Sequence, residues 1–246
     1  MEHAREYFKA LHGLIERIET SQLDNLTKAA SAMAESVARG GVIHIFGCGH
    51  TQILALETWF RAGQPACISP VFDAGLWPQN GPAKGSDLER LPGYGTVIAR
   101  NHDVQSGEVA IVISNSGRNP TPIEVALNFK QRGLTVVAVT SLDYALTVTS
   151  KHESGRRLHE VADIVVDNAG PAGDALMEIP DGRRAAPVTT ITNAAILGAL
   201  LLEMDYALHQ RGVEPPVFTS ANLDVDLRRN AEYAQRYSNR VKYYKG

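Results

Sequence analysis

Hydrophobic positions change their spacing along the chain, and that spacing predicts alternating helices and strands. Apolar residues recur at every third or fourth position from residue 2 to about residue 39, which predicts helix, and Gly40 and Gly41 follow as a C-cap. Later β-branched runs bounded by turn residues are typical of strands covered on both faces of a parallel sheet. These predicted strands are residues 42–46, 109–113, 135–140 and 163–167, with a weaker one at 66–71.

Helical patterns lie between the predicted strands. Residues 52–62, 122–132 and 142–150 fit this pattern, and strand–helix–strand order is that of a βαβ crossover. Residues 189–210 are the strongest helix prediction, because Gly212 and Pro215 follow as stop signals. A final helix is predicted at about 223–237.

The pattern predicts one domain over residues 1–246, an α/β fold of three αβα layers around a five-stranded parallel sheet. An N-terminal pair of helices occupies residues 1–40 and a helical extension residues 212–246. Loops 72–94 and 168–187 are rich in Gly and Pro and longer than a connection requires, so they are expected to be functional or disordered.

Composition and charge disfavour several classes of function. With 24 Lys and Arg against 27 Asp and Glu, the net charge is −3, which offers no basic face for nucleic acid. The longest apolar run, residues 194–202, is far below the roughly 20 residues of a bilayer span, so no membrane crossing is expected. The charged N-terminal segment lacks a signal core, which predicts a cytoplasmic protein.

Cofactor chemistry has little support in the sequence. Two cysteines, Cys48 and Cys67, are too few for a disulfide framework and are expected to be packed thiols. No pair of histidines has the HExxH spacing, so no metal is implied. The Gly47–Cys48–Gly49 turn is not a full dinucleotide fingerprint, because Gln52 stands at the third glycine position. We therefore expect no cofactor.

The loop after the strand at 109–113 has the composition of an anion site. Ligands of open parallel sheets bind beyond the carboxyl ends of the strands. There, the sequence SNSGRNPT leads straight into a helix, so hydroxyls, an amide and backbone N–H groups converge at a helix N-terminus, which favours phosphate. The alternative is that Ser, Asn and Gly only cap the helix and turn the chain.

Three loops together resemble a known family. FGCGHT, ISNSGRNPTPIE and the strand end VAVTS are similar to the ligand loops of the SIS (sugar isomerase) fold, and the blocks SGRRLHEVAD, DNAGPAGDA and RGVEPPVFTSAN resemble the UPF0309 group within it. The resemblance covers nearly the whole chain. It implies a flavodoxin-like, doubly wound sheet, a phosphosugar ligand and a homodimer or homotetramer whose pocket lies near a subunit interface.

The resemblance also implies which positions bind the phosphosugar. Serines of the second loop would hold phosphate, with Asn119 at the position of a final hydroxyl and Thr121 as its possible substitute. The first and third loops supply further contacts. The implied phosphosugar-binding residues are Gly49, Thr51, Ser114, Asn115, Ser116, Gly117, Asn119, Thr121, Thr140 and Ser141.

Moving a proton between adjacent sugar carbons through an enediol requires an acid–base group, and four residues are candidates. Glu57 lies behind the first loop, although an i,i+4 surface pair with Arg61 is an equal alternative. His50 lies in the Gly-rich turn itself. Glu124 is in the first turn of the helix after the phosphate loop, where the helix dipole alone favours an acid, and His152 precedes a Ser-Gly turn.

Three functions fit these features. The first is a phosphosugar isomerase or related lyase, acting on an amino or N-acetyl sugar phosphate. The second is a phosphosugar sensor without catalysis. The third, a scaffold that associates through its helices, leaves the donor-rich loops unexplained.

Overall fold

The computed structural model describes residues 1–244, and its centre is a five-stranded parallel sheet with strand order β2-β1-β3-β4-β5. This is the doubly wound order of flavodoxin-like folds, in which the topology reverses between β1 and β3. A separate antiparallel hairpin, β6-β7, stands apart from it. The strands are β1 Ile43–Gly47, β2 Ile68–Pro70, β3 Val109–Ile113, β4 Thr135–Thr140, β5 Ile164–Asp167, β6 Ala175–Glu178 and β7 Arg184–Pro187.

Helices cover both faces of the sheet, which confirms the three-layer prediction. Buried residues of α1, α2 and α8 pack with one face of the strands. Residues of α4, α5 and α7 pack with the other. The helices are α1 Glu2–Ala38, α2 Gln52–Thr58, α3 Pro82–Arg90, α4 Tyr94–Arg100, α5 Pro120–Gln131, α6 Leu142–Ala145, α7 Leu158–Val161, α8 Thr189–Gln210 and α9 Arg228–Tyr237.

The predicted N-terminal helical pair is wrong, because residues 2–38 form one continuous helix of 37 residues. Thr20 and Ser21, near its middle, do not cap a new helix. Their hydroxyls donate to the carbonyls of Glu16 and Arg17 one turn back, and the helix continues. At about 1.5 Å per residue, α1 is long enough to run past β5 and α8, both of which it contacts.

The two long loops contain regular structure that the hydrophobic pattern did not predict. Residues 72–94 hold α3, which begins with Pro82 after Gly81. Residues 168–187 hold the β6–β7 hairpin, closed by an Asp181–Gly182 turn with Gly182 at φ +81°. Pro-Asp-Gly is a turn signal in its own right, so this hairpin was visible in the sequence.

Helix ends account for most of the other differences. Three helices are shorter than predicted: α2 ends at Thr58, α6 at Ala145, and the final helix starts at Arg228 rather than near residue 223. After α2 the chain turns through Phe60 at φ +48°, a conformation that no helix continues. The last two residues of the predicted C-terminal extension lie outside the described residues.

Helix α8 is long and apolar enough to cross a membrane when only its length and composition are considered. The central helix of a packed domain passes the same test. In this structure Ile196, Leu197, Leu200, Leu201 and Met204 of α8 are buried in the core beside α1. The burial of this face explains the composition of α8 without a bilayer.

A buried polar network lies at the amino end of the sheet. Glu108, just before β3, accepts from His44 Nε2 of β1 at 2.9 Å and from Arg240 of the C-terminal segment at 2.9 and 3.1 Å. His44 Nδ1 is 3.0 Å from His102 Nε2. Because His44 donates through Nε2, its Nδ1 accepts and His102 donates.

Burial controls the charges in this network. Burial raises the pKa of Glu108, but the hydrogen bonds from His44 and Arg240 outweigh it and hold that pKa at about 2. Burial lowers the pKa of His102 to about 3, and it also lowers that of His44. The network therefore consists of one ion pair and two neutral histidines at pH 7.

We predict that acid destabilises this network through His102 before its carboxylate, Glu108, is protonated. Unfolded His102, with a pKa near 6.5, binds a proton at pH 5 that the folded state excludes, so the contribution of His102 lowers the free energy of unfolding by about 2 kcal/mol between pH 7 and pH 5. Asp205 contributes with the opposite sign, because burial raises its pKa to about 7 and the folded state takes up its proton in this interval. The difference between wild type and a variant of His102 therefore isolates His102, and urea denaturation at both pH values measures it. His102→Gln, which keeps a donor for His44, should lose less stability over this interval; the same loss in variant and wild type would contradict the assignment.

Candidate functional site

A cleft of about 300 Å³ opens at the carboxyl edge of the sheet, at the point where the topology reverses. Its wall is built from the turn after β1, from Asn115 after β3, and from the first residues of α8. Helix α3 closes another side. Parallel open sheets bind ligands at this position, because the two neighbouring strands send their connections in opposite directions there.

The turn after β1 brings its own backbone and the imidazole of His50 to the cleft. Gly49 has φ +57°, a left-handed conformation that suits glycine, and His50 follows it as an exposed side chain on the cleft wall. The Thr51 hydroxyl donates to the carbonyl of Cys48 at 2.6 Å, which closes the turn. Burial raises the pKa of the Cys48 thiol well above its usual value, so the thiol beside His50 stays protonated.

The loop between β3 and α5 presents a row of unpaired donors. Among residues 1–244, the backbone N–H groups of Ser116, Gly117, Arg118 and Asn119 have no hydrogen-bond acceptor. The hydroxyls of Ser114 and Ser116 likewise have no partner within the described chain. Gly117 has φ +57°, and a left-handed residue within a turn makes successive N–H groups converge into a concavity that fits an anion.

The carbonyl groups of the same loop are held by other segments. Thr140 Oγ1 and Ser141 N both donate to Asn115 O at 3.0 Å. The carbonyl of Gly117 accepts from Leu158 N, and that of Arg118 accepts from Lys151 N, each at 2.8 Å. These carbonyl groups help to fix the loop, while the backbone N–H groups of residues 116–119 have no acceptor within the described chain.

Thr140 and Ser141, predicted as ligand residues, are fully buried and use their hydroxyls inside the protein. Thr140 donates to Asn115 O, and Ser141 Oγ donates to Gly170 O at 2.6 Å. Thr121 is also fully buried, and its hydroxyl donates to Leu88 O at 3.0 Å. These three hydroxyls hold the loop and α3 in place, so in this structure they are not free to bind a ligand.

A chain of amides sets the orientation of Asn115. Asn168, after β5, donates through Nδ2 to Asn115 Oδ1 and to Asn193 Oδ1, both at 2.8 Å. Asn115 must then present its own Nδ2 to the cleft, where it donates to Thr189 Oγ1 at 2.5 Å. Because Thr189 accepts this bond, its hydroxyl proton is free to donate to a ligand in the cleft.

Of the four predicted catalytic residues, His50 alone lies on the cleft wall among residues 1–244. Glu57 is half-buried on α2 and pairs with Arg61, four residues further on, which is the surface pair that its spacing allowed. The structure does not bring Glu57 to the cleft.

Glu124 and His152 lie at a different cavity, of about 490 Å³. Glu124 is buried and accepts from Gly93 N at 2.6 Å and from Thr96 N at 3.2 Å, so both carboxylate oxygens hold the start of α4. His152 Nδ1 is 2.8 Å from Ser154 Oγ. These contacts favour the structural alternative for Glu124.

Several polar residues of the cleft were not among the predicted site residues. Thr189 and Thr190 begin α8, and Asp174 holds the same helix start by accepting from Val188 N and Thr189 N. Two threonines at the start of the strongest predicted helix were a usable signal, whereas α3 was hidden in a region interpreted as loop. The additional polar wall residues are Ser86, Glu89, Asp174, Thr189 and Thr190.

Asn119 connects the loop of residues 114–119 to the cleft. Its Nδ2 donates to Glu89 Oε1 at 2.7 Å, and Glu89 lies on the cleft wall. Asn115, at the other end of the loop, is also on the wall. The loop is thus connected to the cleft wall at Asn115 and, through Glu89, at Asn119. No group of three or more His, Cys, Asp or Glu side chains within residues 1–244 is arranged to hold a metal ion.

Comparison with known proteins gives both sequence and structural relatives. A family model described as SIS domain matches residues 6–141. A UPF0309 protein of Geobacillus thermodenitrificans is 37% identical over 241 residues, covering 96% of this chain and 95% of the relative. Another, from Listeria innocua, is 38% identical over 229 residues, covering 93% of each chain.

Two solved structures share the fold at low identity. A phosphoheptose isomerase from Neisseria gonorrhoeae aligns with a TM-score of 0.57 and 17% identity, over 83% of this chain and 98% of its own. The sugar isomerase domain of the RpiR transcription factor from Sphaerobacter thermophilus aligns with a TM-score of 0.53 and 14% identity, over 86% and 94% of the two chains.

Proposed function

This chain belongs to the SIS domain family and resembles its UPF0309 members over nearly its whole length, and from that premise we propose that it binds a phosphorylated sugar at the cleft between β1 and β3. The loop of residues 114–119 holds the phosphate. The sugar body lies in the cleft against His50, Asn115 and Thr189.

The unpaired donors of the phosphate loop are the observation that carries this proposal. Four consecutive N–H groups and two serine hydroxyls of one loop have no acceptor within the described chain, and a phosphate would accept hydrogen bonds from them together. Helix α5 begins immediately afterwards at Pro120, so its positive end adds to the field at the same place. Neither a metal nor a lysine is needed to hold the anion.

We further propose that the protein catalyses isomerisation of this sugar or a related elimination, through an enediol or, where the carbon beside the carbonyl carries an amino group, through the corresponding enaminol. His50 is the acid–base residue, because its exposed imidazole stands on the cleft wall beside the predicted position of the sugar. A proton would leave the carbon next to the carbonyl and return to its neighbour. Imidazole suits both transfers, because its two ring nitrogens can accept and donate a proton.

The alternative is a phosphosugar sensor that binds without turnover. One protein of similar fold is named as a phosphoheptose isomerase and another as the sugar isomerase domain of a transcription factor. Both functions therefore occur on this fold. The enzyme is favoured here by His50, since a sensor has no need of an acid–base group on the cleft wall.

The protein is proposed to be a cytoplasmic homodimer or homotetramer. One face of α8 carries the exposed residues Ile191, Ala195, Gly198, Leu202 and Tyr206 at helical spacing. This apolar stripe starts beside Thr189 and Thr190 on the cleft wall. Contiguous apolar surface of this kind is typical of protein–protein contacts, and a second copy of the chain is the proposed partner.

Removal of one free hydroxyl tests the phosphate loop. Ser116→Ala is expected to weaken the binding of a hexose 6-phosphate by about 1–3 kcal/mol, because a charge-assisted hydrogen bond is lost. Calorimetric titration measures it. Ser106→Ala, at an exposed serine preceding β3, is the matched control and keeps full affinity. If Ser116→Ala binds as tightly as the wild type, the loop does not hold the phosphate.

Solvent exchange tests turnover. In deuterated water, the protein is expected to exchange the hydrogen beside the carbonyl of its phosphosugar, and His50→Gln lowers the rate by about 10²- to 10⁴-fold while binding persists. Glu57→Gln, Glu124→Gln and His152→Gln are expected to retain exchange, because these residues lie off the cleft wall. Binding without exchange in the wild type would establish the sensor; loss in Glu57→Gln alone would transfer the role to that carboxylate.

Introducing a charge into the apolar stripe of α8 tests the proposed oligomer. The wild type is expected to have at least twice the chain mass of 26.7 kDa in light scattering at micromolar concentration, and Leu202→Glu should reduce it to the monomer. Leu146→Glu, at an equally exposed leucine after α6, leaves the mass unchanged. A wild-type mass of one chain would refute the oligomer.

A further inference from the structure

Two carboxylates face the cleft without a cation to balance them. Glu89 of α3 and Asp174 after β5 both line its wall, and among the described residues no Lys or Arg does. Neither carboxylate takes part in an ion pair within residues 1–244. The wall therefore carries up to two uncompensated negative charges beside the proposed phosphate loop.

Each carboxylate has one oxygen held and one oxygen free. Asp174 Oδ1 accepts from Val188 N at 3.1 Å and from Thr189 N at 2.8 Å, which fixes the group at the start of α8. Glu89 Oε1 accepts from Asn119 Nδ2 at 2.7 Å. Oδ2 of Asp174 and Oε2 of Glu89 accept no hydrogen bond from residues 1–244. Both side chains are thus oriented by the protein with a free acceptor remaining.

This charge pattern is unfavourable for a ligand that carries only negative charge. A phosphate held by the loop at residues 116–119 would lie near Glu89, to which Asn119 is bonded. Sugar hydroxyls could donate to the free oxygens but would leave the repulsion uncompensated. An ammonium group on the sugar donates to a carboxylate and cancels its charge in one contact. An acetamido group supplies a single N–H and no charge.

We propose that the cleft selects a phosphosugar with a free amino group, a 2-amino-2-deoxyhexose phosphate, over its N-acetyl and hydroxyl counterparts, and that Glu89 and Asp174 recognise the ammonium. This inference rests on the proposed function, since it requires the phosphate to bind at the neighbouring loop. It makes the two carboxylates specificity residues of the cleft, separate from the acid–base role of His50.

The test compares three ligands by calorimetric titration of the whole chain: glucosamine 6-phosphate, N-acetylglucosamine 6-phosphate and glucose 6-phosphate. We expect the dissociation constant of glucosamine 6-phosphate to be lower than those of the other two ligands by a factor of about ten or more, because one additional charged hydrogen bond contributes that much. Glu89→Gln should remove most of this preference while glucose 6-phosphate binds with unchanged or higher affinity. Asp87→Asn, an exposed carboxylate on the same helix, is the matched control and keeps the preference.

Asp174→Asn is a second variant for the same titrations. Its unfolding temperature is measured as well, because the carboxylate of Asp174 also accepts hydrogen bonds from the start of α8. Equal affinities for the three ligands would overturn the inference and leave phosphosugar binding intact. A preference that survives unchanged in both Glu89→Gln and Asp174→Asn would also overturn it, since the amine would then be read elsewhere. Failure of all three ligands to bind would contradict the proposed function itself.

Discussion

The paired hydrogen bonds from Thr140 Oγ1 and Ser141 N to the carbonyl of Asn115 are the interaction on which the site depends. They tie the connection after β3 to the end of β4, its neighbour in the sheet. Leu158 N and Lys151 N bind two further carbonyls of the loop, those of Gly117 and Arg118. The donors that follow are left in a fixed arrangement, which is how a rigid sheet can prepare an anion site in advance of its ligand.

Polar groups are hydrogen-bonded within the protein at the amino edge of the sheet, whereas several at the carboxyl edge are not. At the amino edge, Glu108 is surrounded by donors from His44, Arg240, Val42 and Gln105, and the C-terminal segment is attached there. At the carboxyl edge, N–H groups and hydroxyls remain without partners. This contrast is the reason for which we propose the ligand site at the carboxyl edge.

Sequence pattern predicted the sheet well because its physical cause is local. Strands β3 and β4 and helix α8 follow the predicted bounds residue for residue, since their apolar runs are long and are flanked by clear stop signals. The pattern failed where a tertiary contact decides the structure. Nothing within α3 shows that its Glu89 would meet Asn119, thirty residues further on, and that contact creates one side of the cleft.

The site was predictable in its loops and less so in its individual side chains. A serine and glycine turn before a helix predicts either an anion site or a simple cap, and the backbone N–H groups of residues 116–119 have no acceptor within the described chain. Whether a particular hydroxyl is free depends on its partners in space. Thr121, Thr140 and Ser141 have the right chemistry for a ligand, but each donates to a carbonyl of the protein. Sequence spacing does not contain that information.

Amide NMR spectroscopy tests most directly whether the backbone donors of residues 116–119 hold a phosphate. On titration of the protein with a hexose 6-phosphate, we expect the amide protons of Ser116, Gly117, Arg118 and Asn119 to shift downfield more than any others, with inorganic phosphate giving the same pattern at higher concentration. A ligand that binds while these four resonances stay in place would contradict this expectation.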